Sequence, residues 1–439
     1  SPVEASPASP VEASPASPVE ASPASPEVAS SPDSPVESPP EAPPAVEQGL
    51  YVWGSNLDDA LALENGAQTG YTSPVFNANS LINIQAGLNF GCGFHEGLKC
   101  WGSNSNGRLG QGNDFTAASS AVPLSVSGFT GTVQSLAVGQ SHACVTVSAP
   151  LVMCWGNNDQ GQVGDDSQTQ ANAPVAATSS DVNVLVKLSA GGAHTCGITS
   201  AGAMFCWGAN DFGQLGVGDD RPRALTMHSV DVSGAGSSAP VWEMLIASQR
   251  NTCGLADAMM LFCWGAGDLG MNGPNNLGIL LKPTGAFYVV SGPTQLAGMG
   301  NTGYILTSGG SVFVWGDNRG GQAGLGDSAD PTIPTPSAIV YSGAASVASG
   351  SEYACILMQN GTLQCFGFNE QGQLGLGDTA TQSSPTTVPS GEGLYWSAIS
   401  TGSVATYGRQ LAAEVSPDSP VEASPSSPES GESPESLET

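Results

Sequence analysis

Trp207-Gly-Ala-Asn-Asp-Phe-Gly-Gln-Leu-Gly216 and Phe366-Gly-Phe-Asn-Glu-Gln-Gly-Gln-Leu-Gly375 are two copies of one motif, an aromatic residue followed by Gly-x-Asn-x-x-Gly-Gln-Leu-Gly. Comparing residues 48–413 with themselves finds seven copies, anchored at Trp53, Trp101, Trp155, Trp207, Trp264, Trp315 and Phe366 and spaced by about 50 residues. The copies at Trp101, Trp155 and Trp315 keep every glycine. That at Trp264 has Gly267 in place of Asn, and that at Trp53 departs after Asn56. Upstream of each anchor runs a short strand-like segment ending in a small-residue turn, such as Leu136-Ala-Val-Gly139 or Leu188-Ser-Ala-Gly191. Several short strands per unit of about 50 residues is the period of a propeller blade. The expected fold is therefore all-β, a seven-bladed β-propeller over 48–413.

The repeated run resembles the regulator of chromosome condensation repeat family, whose members form seven-bladed propellers. The resemblance covers most of the chain and speaks for the fold more than for an activity. Family members include a chromatin-bound exchange factor for a small GTPase, secreted inhibitors of β-lactamases and plant receptor ectodomains. A scaffold shared this widely does not choose among them.

All ten cysteines fall in the repeats, as five local pairs: Cys92/Cys100, Cys144/Cys154, Cys196/Cys206, Cys253/Cys263 and Cys355/Cys365. The second member always stands directly before the anchor aromatic. A spacing of ten sets the pair face to face across a hairpin with a three-residue loop, whose third residue favours left-handed glycine. Gly202 and Gly361 sit there, and Gly97 holds that place in the shorter Cys92/Cys100 hairpin; Pro150 and Met259 depart from the rule. Directly opposed strand residues lie roughly 4.5–5.5 Å apart at Cα, within disulfide reach. In the Trp315 copy both positions change together, to Tyr304 and Val314, as suits a bonded pair better than free thiols. One pair per blade is too dispersed to share zinc. Five cross-strand disulfides are expected, and with them secretion or an oxidising lumen. Ser1 reads as the start of a processed chain.

Closure of the ring is also readable. Val52 precedes Trp53 as Val314 precedes Trp315, and aligning Gly402–Tyr407 with Gly350–Cys355 puts Tyr407 at a first-cysteine position. Val52 and Tyr407 should therefore face each other where strands near 394–411 and 49–56 zip one blade, leaving no free propeller edge.

Outside 48–413 the composition changes. Within a first tail at 1–47, residues 1–44 repeat Ser-Pro-Val-Glu-Ala-Ser-Pro-Ala, in full three times to Ala24 and more loosely after, and a second tail at 414–439 returns to the same module at Ser416-Pro-Asp-Ser-Pro-Val-Glu422. With 8 acidic residues in the first tail, 7 in the second and no Lys or Arg in either, the tails carry about half of the net charge of −29. Such proline density favours extended polyproline II, and carboxylate repulsion stretches it. At ~3.1 Å per residue the first tail spans roughly 130 Å and the second about half that. Both should leave the ring at one point, a head on a double stalk. Secreted Ser-Pro segments of this kind resemble the hydroxyproline-rich glycoproteins of green algal and plant cell walls. That resemblance implies hydroxylated, glycosylated prolines at positions such as Pro2, Pro7, Pro39, Pro40, Pro417 and Pro420.

The remaining candidates for chemistry are few. His142 and His194 share a repeat position filled elsewhere by Asn251, Thr302 and Tyr353, which marks a scaffold position. His95 falls in a hairpin loop and His228 in a blade connection, each without a metal-spaced partner. Asp165-Asp166, Asp219-Asp220, Gly324-Leu-Gly-Asp327 and Gly375-Leu-Gly-Asp378 recur at one repeat phase, as turn scaffolding and capping carboxylates with calcium as the alternative. No nucleophile elbow or phosphate loop occurs, and no cofactor or small-molecule substrate is implied. Asn360-Gly-Thr362 is an N-glycosylation acceptor at a hairpin tip.

A chain with 9 Lys and Arg against 38 Asp and Glu repels nucleic acid and anionic lipid, and has no apolar stretch long enough to span a membrane. The expected function is that of a non-catalytic secreted glycoprotein of the extracellular matrix or cell wall. Its partners would be extracellular or cell-wall glycoproteins, with self-association through the tails. The alternative is a secreted binding or inhibitory propeller with inert spacer tails. A nuclear exchange factor would instead carry free thiols, and an enzyme would need a site in the propeller's central mouth.

Overall fold

Seven four-stranded antiparallel sheets make up the computed structural model. It describes residues 49–412 apart from short stretches at 64–67, 127, 129–130, 149–150, 179–184, 237–238, 258, 268–269, 276–277, 287, 290, 328, 341 and 392–393. The expected polyproline II tails, with Pro2, Pro7, Pro39, Pro40, Pro417 and Pro420, lie outside the described residues.

Six sheets run from inner to outer strand in chain order. The Trp207 blade is typical, with Leu185–Ala190, His194–Thr199, Met204–Ala209 and Arg223–Ser229. The seventh is composite: its outer strands Gly70–Asn77 and Gly49–Ser55 come from the start of the ring, and Ala405–Ala412 and Leu394–Thr401 from its end. Val52 is paired with Tyr407 in that sheet, and Gly49 with Gln410, so the chain enters and leaves the propeller side by side. Each inner strand packs on the inner strand of the next blade, around to the first.

Middle strands are buried on both faces, so they alternate β-branched, small and aromatic residues instead of apolar with polar. The six anchor indoles are fully buried between blades. The residue opposite an anchor must be small: a Cβ on Gly303 would lie 2.2 Å from the Trp315 ring. Thr195, Thr252, Ala143 and Ala354 take the same place elsewhere.

The cysteines pair in register across the second and third strands, with bonds Cys92–Cys100, Cys144–Cys154, Cys196–Cys206, Cys253–Cys263 and Cys355–Cys365 and Cα separations of 4.1 Å. Tyr304 faces Val314 in the blade that lacks them. One expectation is corrected: His228 belongs to an outer strand, paired with Cys206, and not to a blade connection. The polar run around it reads as loop because an outer strand keeps one face in water.

Candidate binding surfaces

The motif is a device for closing its own loop. In the Trp155 blade Asn158 accepts from the Val163 N–H (2.9 Å) and donates to the Thr169 carbonyl (3.0 Å), fixing the start of the loop to its middle and end. Asn56, Asn104, Asn210, Asn318 and Asn369 accept at the same offset. The following glutamine folds its Oε1 back onto the N–H two residues earlier, at Gln162, Gln214, Gln322 and Gln373. Its carbonyl accepts the indole N–H of the next blade, Trp207 on Gln162 (2.9 Å), Trp264 on Gln214 (3.1 Å) and Trp53 on Gln373 (2.9 Å). Phe366 has no N–H to give to Gln322, and Tyr304 Oη donates there instead (2.6 Å). These polar atoms are engaged internally and leave little for a ligand.

His142 and His194 extend the same lattice. Each Nε2 lies beside a threonine of the next blade, Thr195 Oγ1 at 2.8 Å and Thr252 Oγ1 at 2.9 Å. Tyr353 reaches Thr406 Oγ1 (2.9 Å) from the equivalent place. Burial pushes the His142 pKa down to about 3, with His194 and Arg108 adding to the effect, and that of His194 down to about 4. Both rings are neutral supports at physiological pH. Burial and then Arg221 also lower His228. His95 stands in the 95–97 loop, as its hydrogen bond to Gly97 shows.

Two surfaces remain. At one end of the sheets the motif loops gather carboxylates, Asp159, Asp165, Asp166, Asp219, Asp220 and Asp378 among them. Several are turn caps: Asp165 accepts from Ser167 Oγ (2.8 Å) and Asn158, and Asp378 accepts from the Ala380 N–H (3.1 Å). Arg221 grips Asp219 (2.6 Å) and holds it below the usual carboxylate range. Among the described residues no group of three or more His, Cys, Asp or Glu is placed to hold a metal. Along the axis the inner strands of all seven blades enclose a tunnel of about 290 Å³, and no charged residue is among its lining residues. Its polar side chains stitch blade to blade, as Ser189 Oγ does in accepting from Ala247 N–H (2.9 Å) and Gln295 Nε2 in donating to the Val347 carbonyl (2.8 Å). The motif is legible in the sequence but the staple is not, because the carbonyl that the asparagine side chain reaches belongs to the backbone and carries no residue type of its own. At the other end Asn360 is exposed on a hairpin tip, its Oδ1 accepting from the Thr362 N–H (3.0 Å).

Comparison with known proteins adds the following. The regulator of chromosome condensation (RCC1) repeat matches residues 100–146, 151–198, 201–232, 309–357 and 360–406; a second description of that repeat matches 185–214 and 344–373. The chain is 24% identical over 353 residues to the ultraviolet-B receptor UVR8 of Arabidopsis thaliana, covering 76% of each. It is 25% identical over 385 residues to the human E3 ubiquitin-protein ligase HERC2, covering 81% of this chain and 7% of that one. Yeast RCC1 (Prp20), crystallised with Kap60, superimposes with a TM-score of 0.73 at 18% identity, over 84% of this chain and 90% of that chain. Human WBSCR16 gives 0.70 at 17% identity, over 84% and 100%. At such identities the two structures share the fold. Among the described residues no helix is long and apolar enough to cross a membrane.

Proposed function

Because this chain belongs to the regulator of chromosome condensation repeat family, we propose that it is a non-catalytic, protein-binding propeller of the extracellular matrix or cell wall, its head bound to other wall glycoproteins and its acidic Ser-Pro tails serving as glycosylated assembly rods. The single observation that carries the compartment is the five buried cross-strand disulfides, with no free cysteine among the described residues. Reducing compartments do not maintain such bonds. Protein binding is supported by membership of a repeat family whose matched relatives include a receptor, UVR8, and a propeller crystallised with a partner protein, yeast RCC1 with Kap60. The match to 7% of HERC2 carries no ligase activity to this chain. Asn360 and the tail prolines are the proposed glycosylation sites.

Intact mass before and after reduction tests the reading. Protein from its native source should gain the mass of ten hydrogens on reduction, one per cysteine, and carry excess mass on the tail peptides and on the peptide holding Asn360. Unmodified tail prolines in a protein free in the medium would overturn the wall role and favour the spacer-tail reading.

A further inference from the structure

The seam between the closing blade and the Trp101 blade stands open. Leu50, Leu81, Ile84, Ile399, Tyr407 and Arg409 line a cleft of about 390 Å³ there. Across the crest of Ile82, which is 47% exposed, a second cleft of about 540 Å³ is lined by Phe94, Val133 and Leu136. The strand between them is irregular: its pairing shifts between Ile82 and Gln85, and Asn83 adopts a φ of 49°. The sequence gives a reason for the gap. Two residues after the first cysteine position the other blades carry Phe94, Thr146, Ile198, Leu255, Leu306 and Leu357, and all but Phe94 are buried. The closing blade carries Arg409 in that place.

Arg409 is half-buried, and among the described residues its guanidinium has no carboxylate, hydroxyl, carbonyl or ring as partner. Each of the other eight cations meets one. An unpaired guanidinium at an apolar cleft, in a chain with 38 acidic residues, selects for a ligand that is both apolar and acidic.

We propose that this double cleft is a docking groove for a Ser-Pro-Val-Glu segment from the tail of a second copy of the chain. The inference rests on the reading of the tails as assembly rods and supplies their site. Proline and valine suit the apolar walls, and the glutamate meets Arg409. A segment biased to polyproline II loses little entropy on docking. The tails have no cation of their own to satisfy these carboxylates. Leu50 and Arg409 are paired where the described chain enters and leaves the ring. The nearest Pro-Val-Glu run of the first tail, Pro35-Val-Glu37, is joined to the ring through Pro39, Pro40, Pro43 and Pro44, which resist a tight reversal, and that of the second, Pro420-Val-Glu422, follows the ring by only about ten residues with Pro417 among them. The tail of a neighbour is the better fit.

The test uses the full chain and the labelled octapeptide Ser-Pro-Val-Glu-Ala-Ser-Pro-Ala. The peptide should bind, and its Glu→Gln form should bind roughly five- to tenfold more weakly, as loss of a charge-assisted contact predicts. Arg409→Gln should give the same drop. The parent chain should associate with rising concentration in sedimentation, and Arg409→Leu, which restores the residue type of the other blades, should fill the cleft and abolish both that association and peptide binding. Peptide binding indifferent to both substitutions overturns the groove, and so does assembly of the Arg409→Leu chain at the strength of the parent. A chain that stays monomeric yet binds peptide through Arg409 overturns the second copy as occupant, together with the assembly reading. A monomer that takes peptide only after its own tails are cut overturns the second copy in favour of the chain's own tail.

Discussion

His142 and His194 each use one ring nitrogen. Thr195 and Thr252 pass their own hydroxyl protons to the Gln162 and Gln214 carbonyls (3.1 and 2.7 Å), so each imidazole donates from Nε2 and leaves Nδ1 an unpartnered buried acceptor among the described residues. A neutral ring tolerates this; a protonated one would bury an unpaired charge. The depressed values of about 3 and 4 lie below the ordinary value of 6.5, so over that interval the unfolded chain takes up protons that the native state refuses. Their contribution to stability is whole above about pH 6.5 and is lost as pH falls toward 4, at up to ~1.4 kcal/mol per pH unit for each ring. Replacing both by Asn, the residue that Asn251 supplies at this position, should flatten the pH dependence of the urea midpoint between pH 6 and 4.5 by nearly two protons. An unchanged slope would place acid sensitivity in the carboxylates.

The blade shows how far local sequence carries. Its hairpins were legible because one residue had to be left-handed: Gly202 and Gly361 have φ of 80° and Gly97 of 115°. Where Met259 replaces that glycine the left-handed residue moves to Asp257 (φ 51°) at the start of the loop, a shift that the identity of Met259 does not announce. The Trp264 blade was less legible still. With Gly267 for Asn the staple is gone, and Asn272 donates instead to the Gly265 carbonyl (2.9 Å). The Trp53 copy shows the reverse case, a motif lost to the eye but kept in the fold. Asn56 still accepts from Leu61 N–H (3.0 Å), the Ala60 carbonyl still takes the Trp101 indole (3.0 Å), and Asp59 and Ala62 hold the left-handed positions of the missing glycines at φ of 63° and 54°. Spacing alone hid it because backbone atoms do this work, whatever side chain is attached. Such a conformation strains alanine by about 1 kcal/mol, so Ala62→Gly should raise the unfolding free energy by about that amount. A loss of stability, measured by urea titration, would show that the buried methyl outweighs the strain.

For the molecule as a whole, the ring is closed without a covalent bond. Five blades have a covalent cross-link between second and third strands, whereas the blade that joins the two ends of the propeller is held by Val52 against Tyr407, the Tyr407 hydroxyl on the Ala60 carbonyl, and the contact of Tyr407 with Trp101. The register there is that of the five disulfide pairs, so the side chains at 52 and 407 project as the cysteines do elsewhere. Val52→Cys with Tyr407→Cys should therefore form a sixth bridge without moving the backbone, and this one would enclose nearly the whole propeller. Chain entropy grows only slowly with loop length, yet a loop of several hundred residues still gives roughly 5–6 kcal/mol on that model. Against this stands the loss of a buried tyrosine, about 3–5 kcal/mol for truncation of a large core side chain. The proper reference is Val52→Cys with Tyr407→Ser, which loses the same ring but cannot close. Relative to it the bridged variant should unfold several degrees higher, and hydrogen exchange at 49–55 and 405–412 should slow to the rate of the other blades. Equal melting of the two variants would mean that unfolding starts elsewhere, with the Trp264 blade, whose loop lacks the asparagine staple, the first place to look.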